Sequence, residues 1–197
     1  MILLISRYCC CVGYRAHILL YDYFLEQSRL ATNLYNHANF FIRQTYTALT
    51  QEKPLEANQQ EVRDVIAHYL PLMNENQVRA WEKRETEVRA GTRINNQKKP
   101  KWFSAPTKKK SYLGYAFLDA LFRTMQEENY VAISAQTAQG ALKNLNQNWQ
   151  SFFASQKEYK QHPDQYLGKP KIPGYLDKKG LKEVTFTNQD CNVKEEK

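Results

Sequence analysis

Hydrophobic positions recur along this chain at three- and four-residue intervals, most clearly between residues 134 and 160. Ala138, Ala141, Leu142, Leu145, Trp149, Phe152 and Phe153 fall within one stripe at about 100° per residue, which predicts an amphipathic helix. Ser134 stands at its start, where a hydroxyl can accept a bond from an orphan backbone N–H. The opposite side is unusual, because Gln136, Gln139, Lys143, Asn146, Gln147, Gln150 and Lys157 place amides where charged pairs are common. Pro163 stops the helix, and Gly168-Lys169-Pro170-Lys171-Ile172-Pro173-Gly174-Tyr175 follows as a stiff basic turn.

The same period appears upstream. Between residues 21 and 49, Leu30, Leu34, Ala38, Phe41, Ile42 and Leu49 make a buried stripe, with Arg29, Asn33, Asn36, Arg43 and Gln44 off it. His37 lies beside this stripe with no His or Cys at a ligand interval, so it reads as a surface or helix-packing residue. Pro54 marks a loop. A short helix carrying Val62, Val65, Ile66, Tyr69 and Leu70 follows, and Pro71 is expected to close it. Residues 74–90 read as a separate solvated helix of mixed charge, with Glu75 and Arg79 paired at i,i+4 and Gly91 at its end.

Residues 98–110 break the pattern, with six lysines, no acid, Pro100 and Pro106, and Trp102-Phe103 in the middle. Two readings stay open for them. One is a disordered loop whose lysines aid solubility; the other is a flexible arm that neutralises phosphates while its aromatic pair stacks on a base or docks on the body. Residues 112–125 return to helix, with Leu113, Phe117, Ala120, Leu121 and Met125 inward. After a loop signal at Lys178-Lys179-Gly180, Val184-Thr185-Phe186-Thr187 alternates like a short strand, and the polar end CNVKEEK is expected to fray.

With 197 residues there is length for one domain or two small ones. An excess of 28 Lys and Arg over 20 Asp and Glu gives a net charge of +8, which favours a polyanionic partner. Cys9, Cys10 and Cys11 are adjacent and Cys191 is alone, so the spaced pairs of a structural zinc site are missing. The apolar run Ile2-Leu3-Leu4-Ile5 is too short to span a bilayer and lacks signal-peptide flanks. Nothing demands an oxidising compartment, and a cytoplasmic location is expected. No nucleotide-binding, serine-hydrolase or zinc-protease motif is present. Asp22, Asp64, Asp119, Asp164, Asp177 and Asp190 fall on separate elements rather than forming a metal-binding trio.

Five blocks in order resemble one family. They are NLYNHANFFIRQ at 33–44, YLGYAFLDALF at 112–122, SAQTAQGALKNLNQNWQSFFAS at 134–155, YLGKPKIPGY at 166–175 and VTFTNQ at 184–189. Together they resemble the N-terminal half of TnpB-type proteins, the RNA-guided endonucleases of insertion sequences, long called transposases and related to type V CRISPR effectors. The likeness spans residues 28–189 and is poor at 51–110, and the family's opening β-strand has no clear copy in residues 1–20.

The resemblance implies a mainly α chain: a helical recognition-lobe bundle at 21–163, including the basic loop 91–111, after an uncertain segment 1–20. Residues 164–197 would hold the basic turn and a short β segment of an incomplete wedge barrel. It implies guide RNA and target DNA as partners, held by backbone and A-form shape. The family's metal-dependent nuclease and zinc ribbon follow the segment matched here, so this chain is expected to be a non-enzymatic fragment without metal or other cofactor. The candidate nucleic-acid-binding residues are Gln139, Lys143, Asn146, Gln150 and Lys157 on the helix and Lys169, Lys171 and Tyr175 in the turn. Lys98, Lys99, Lys101, Lys108, Lys109 and Lys110 complete them on the basic loop. The alternatives are a helical protein-interaction module and a pseudogene product without function.

Overall fold

Each apolar stripe becomes a helix, and the computed structural model, which describes residues 14–95, 99–177 and 180–186, is mainly α. The helices are α1 (Tyr14–Thr50), α2 (Ala57–Arg89), α3 (Tyr115–Thr124), α4 (Glu128–Val131) and α5 (Ala135–Gln161), followed by one 3₁₀ turn at Pro163–Gln165. The cysteines, Lys98, Lys178, Lys179, Thr187 and the polar end lie outside the described residues. Helix α1 starts at Tyr14 instead of near Tyr21. Residues 14–20 contain neither glycine nor proline, so helix propagates past the point where the apolar stripe begins.

Pro71 does not close a helix. It sits inside α2, which runs unbroken to Arg89. A proline forfeits one backbone hydrogen bond and crowds the preceding turn, yet both flanks of Pro71 are held by packing. Ile66 before it and Met73 after it are buried in the common core. Asn74 then fixes the next turn, donating to Phe103 O at 3.0 Å and accepting from Phe103 N at 2.8 Å. Helix α2 ends as its glycine foretells. Gly91 takes a φ of 73°, Gly91 N–H reaches Val88 O at 3.0 Å and Thr92 N–H reaches Glu87 O at 3.0 Å.

The core lies where α5 packs along α1, with α3 and the first half of α2 closing the sides. Trp149 is wholly enclosed, and Tyr46, Phe152 and Phe153 set their rings 5.5, 5.7 and 5.7 Å from it. The cap read from sequence is present, since Ser134 Oγ accepts from Thr137 N–H at 3.1 Å. His37 packs against Phe41 and Phe122 and bonds Glu127, its Nδ1 2.9 Å from Oε1. The Glu127 carboxylate also takes Asn129 Nδ2 at 2.8 Å and Tyr130 N–H at 2.6 Å, capping α4.

The segment after α5 holds the largest departure from the pattern. Residues 184–186 form no strand, and the described residues contain no β-sheet, only the isolated bridge Thr107–Lys110. The wedge-barrel segment is therefore not seen. The chain returns instead as an irregular strap that runs antiparallel to α1, held by one polar row of that helix. Ser28 Oγ donates to Lys182 O at 2.6 Å, Asn36 Nδ2 to Leu176 O at 3.0 Å, and Asn39 Nδ2 to Gly174 O at 2.8 Å. Val184-Thr185-Phe186 alternates, but it lies along a helix whose side chains bond its neighbours' carbonyls, and among the described residues no second strand pairs with it.

Candidate nucleic-acid interface

The strap brings the basic turn against α5. Pro173 O accepts from Arg43 Nη1 at 2.7 Å and from Asn39 Nδ2 at 3.2 Å. Leu176 N–H donates to Asn36 Oδ1 at 2.7 Å. Asn39 Oδ1 in turn accepts from Trp149 Nε1 at 2.9 Å, so one buried amide joins the core tryptophan to the turn. These bonds hold the backbone at residues 173–176; Tyr175 within that stretch, and Lys169 and Lys171 just before it, are all exposed. Beside them opens a groove of about 480 Å³ lined by Lys171, Tyr175, Asn148, Ser151, Ser155 and Tyr35 among others, and no carboxylate lines it.

A second groove, of about 460 Å³, continues between the first half of α5 and strap residues 182–185. Lys143, Asn144, Gln147 and Lys182 line it, together with Glu183. Lys182 Nζ donates to Asn144 Oδ1 at 2.8 Å and lies 4.8 Å over the Tyr35 ring. Burial lowers its pKa, partly countered by neighbouring Glu183. This flank of α5 therefore presents amides, hydroxyls and lysines in one band.

No family model matches the chain, and no curated protein or solved structure was found to match it. The candidate site stands on its own geometry.

That geometry rearranges the sequence-derived residues. Of the candidate helix residues Gln139, Lys143, Asn146, Gln150 and Lys157, Asn146 faces away from the turn. Its Oδ1 accepts from Tyr112 Oη at 2.9 Å and from Tyr115 N–H at 3.0 Å, fixing the start of α3. Gln150, four residues on, shares that flank by helical period; it is exposed, as is Lys157, while Gln139 is half-buried. Lys143 lies between the two flanks, lining the second groove and placing its Nζ 5.5 Å over the Tyr115 ring. The residues that meet the turn are instead Asn148, Ser151 and Ser155, with Arg43 from α1. Ser and Asn are poor helix formers, and their recurrence at 148, 151 and 155 was the available signal.

Part of the basic loop packs on the body. Phe103 docks on the body, its ring 5.7 Å from Phe117, whereas its neighbour Trp102 stays 67% exposed. Lys99, Lys101, Lys108, Lys109 and Lys110 are exposed. Lys108 pairs with Glu52 at 3.5 Å, and Lys101 Nζ lies 6.0 Å over the Phe103 ring. Among the described residues no group of three or more His, Cys, Asp or Glu is placed to hold a metal ion, and no helix is long and apolar enough to cross a membrane.

Proposed function

We propose that this chain is the helical recognition portion of a TnpB-type insertion-sequence protein, and that its strap face holds the backbone of guide RNA and of its duplex with target DNA. One observation carries the reading. Lys169 and Lys171 stand exposed just before residues 173–176, whose backbone is bonded by Arg43, Asn39 and Asn36, and Lys171 lines a groove without carboxylates. Lysines on a fixed backbone lose less freedom on meeting phosphates than lysines on a loose arm. Asn148, Ser151 and Ser155 add neutral donors and acceptors for phosphate and ribose. Lys99, Lys101, Lys108, Lys109 and Lys110 supply a second set of phosphate contacts.

The test replaces Lys169 and Lys171 together by Ala and measures binding of structured RNA across salt concentration. Affinity should fall, and the slope of log K against log salt should flatten by up to roughly 2. Unchanged affinity with unchanged slope removes the turn from the binding surface. Cleavage is not assigned to these residues, so the protein with Mg²⁺ or Mn²⁺ should leave single- and double-stranded DNA intact. A second reading, a helical protein-interaction module, draws on the exposed Leu20, Tyr21, Tyr23 and Phe24 of α1. Absence of RNA binding together with capture of a protein partner through that patch favours it.

A further inference from the structure

Tyr175 is held in a way that solvation of a connector does not require. Hydrogen bonds clamp the chain on both sides of it: Pro173 O and Gly174 O before, Leu176 N–H and O after. Three α1 side chains, Asn36, Asn39 and Arg43, make all of these bonds. The Arg43 guanidinium also lies against the ring, 5.0 Å from its centroid. Half of the residue's surface nevertheless remains open, at 50% exposure, and it forms part of the wall of the carboxylate-free groove. A lone exposed aromatic is ordinary on a protein surface. One clamped on both sides, supported by a cation and set beside Lys171 is a preformed flat face in a basic environment.

We infer that Tyr175 is a stacking platform for one unpaired base of a bound nucleic-acid strand, an inference that rests on the nucleic-acid reading above. The cation against the ring draws on its electrons, and the open face is left for the π-system of a base. Lys171 and Lys169 are placed for the flanking phosphates, while Asn148, Ser151 and Ser155 meet the sugar. Bases inside a duplex already stack on both faces, and exposing one costs a few kcal/mol. The platform therefore selects a strand end, a bulge or a single strand. A base offers the same face in RNA and DNA, so the stacking contribution is common to both.

The experiment uses the whole chain with three probes. Two are single-stranded octamers of one sequence, RNA and DNA, each carrying a central 2-aminopurine; the third is a blunt RNA duplex. Wild-type protein should quench the 2-aminopurine of both single strands. Tyr175→Ala, with its helical circular dichroism unchanged, should weaken binding to both by roughly 5- to 100-fold and abolish the quench. Its salt slope should stay as in wild type, because no phosphate contact is removed. Tyr175→Trp should restore affinity and quench, and duplex binding should be insensitive to either change. If Tyr175→Ala binds the single strands as wild type does while the Lys169/Lys171 double variant is weakened, the platform is refuted and the backbone-binding reading survives. Equal loss on single strands and duplex also refutes it, since Tyr175 would then act only in shaping the turn. No binding of any probe by wild-type protein overturns both proposals.

Discussion

Replacing Asn39 by Ala tests whether the strap and the core are one structure. Asn39 is wholly buried, and its three hydrogen bonds point in two directions. Toward the core it accepts the Trp149 indole N–H at 2.9 Å; toward the strap it donates to Pro173 O and Gly174 O. In the variant the indole N–H stays buried without an acceptor, a loss of about 1–3 kcal/mol. The two carbonyls are only partly enclosed and can turn to water, so their share is a net hydrogen-bond contribution of about 0.5–1.5 kcal/mol. The sum, about 1.5–4.5 kcal/mol, is a large fraction of the roughly 5–15 kcal/mol that holds a domain of this kind. Urea unfolding followed by circular dichroism at 222 nm measures it. A double-mutant cycle with Trp149→Phe separates the two directions, because Phe has no N–H to strand. In that background Asn39→Ala should cost about 1 kcal/mol, the strap contribution alone. A loss below about 0.5 kcal/mol in the wild-type background would mean that water satisfies all three groups, and the argument for a fixed turn would fail.

Trp149→Ala removes the ring that Tyr46, Tyr112, Phe152 and Phe153 surround, and should cost about 3–5 kcal/mol by the same urea assay; a change under about 0.5 kcal/mol would mean the aromatic stripe is not core. Gln126 links α3 to α4 with a φ of 53°, which disfavours any side chain. Gln126→Gly should raise stability by roughly 0.5 kcal/mol after loss of its own bond to Arg123 O, and destabilisation instead would show that this side-chain bond outweighs backbone strain. Glu127 sets the acid limit. Burial pushes its pKa up, but the bonds from His37, Asn129 and Tyr130 N–H outweigh burial and leave it below its ordinary value of 4.5. As pH falls the unfolded chain takes up this proton first, so Glu127's contribution is complete above 4.5 and is lost as pH drops through the lowered folded value. The urea midpoint of Glu127→Gln should be lower at pH 7 and vary less than wild type between about pH 5 and 3; parallel pH profiles would rule this carboxylate out as the source.

The helices were legible because burying one stripe of a helix leaves a periodic trace. Leu34, Ala38, Phe41 and Ile42 on α1, and Ala138 to Phe152 on α5, are buried as their spacing predicts. Two local signals held for the same reason, since Ser134 and Gly91 do their work within one turn of where they stand. Pro71 misled because a local rule met a tertiary contact. The rule states that a proline weakens a helix, while Met73 and Asn74 anchor the turn that follows it.

The strap was illegible for a different reason, and that reason bears on function. Ser28, Thr32, Asn36, Asn39 and Arg43 recur at helical spacing, and a polar stripe of that kind reads as a face turned to water. Ser28, Thr32 and Asn39 are in fact buried. The row's partners in the strap are backbone carbonyls and one amide N–H, 130 to 154 residues away. Backbone groups are the same in every residue, so these hydrogen bonds require no complementary polar side chains in the strap and leave no polar pattern in its sequence. Of the side chains in and beside the turn, Ile172 and Leu176 pack against the core, while Lys169 and Lys171 stay exposed. The two lysines stand just before the segment that α1 grips by its main-chain atoms, and Asn146, on the opposite flank of α5, is occupied by Tyr112 and Tyr115. A helix that binds a connector through its backbone can hold that connector still and leave its side chains to meet something else. If the proposed nucleic-acid reading holds, substitutions of Asn36 and Asn39 in the polar row of α1 should weaken that binding through the turn's backbone alone.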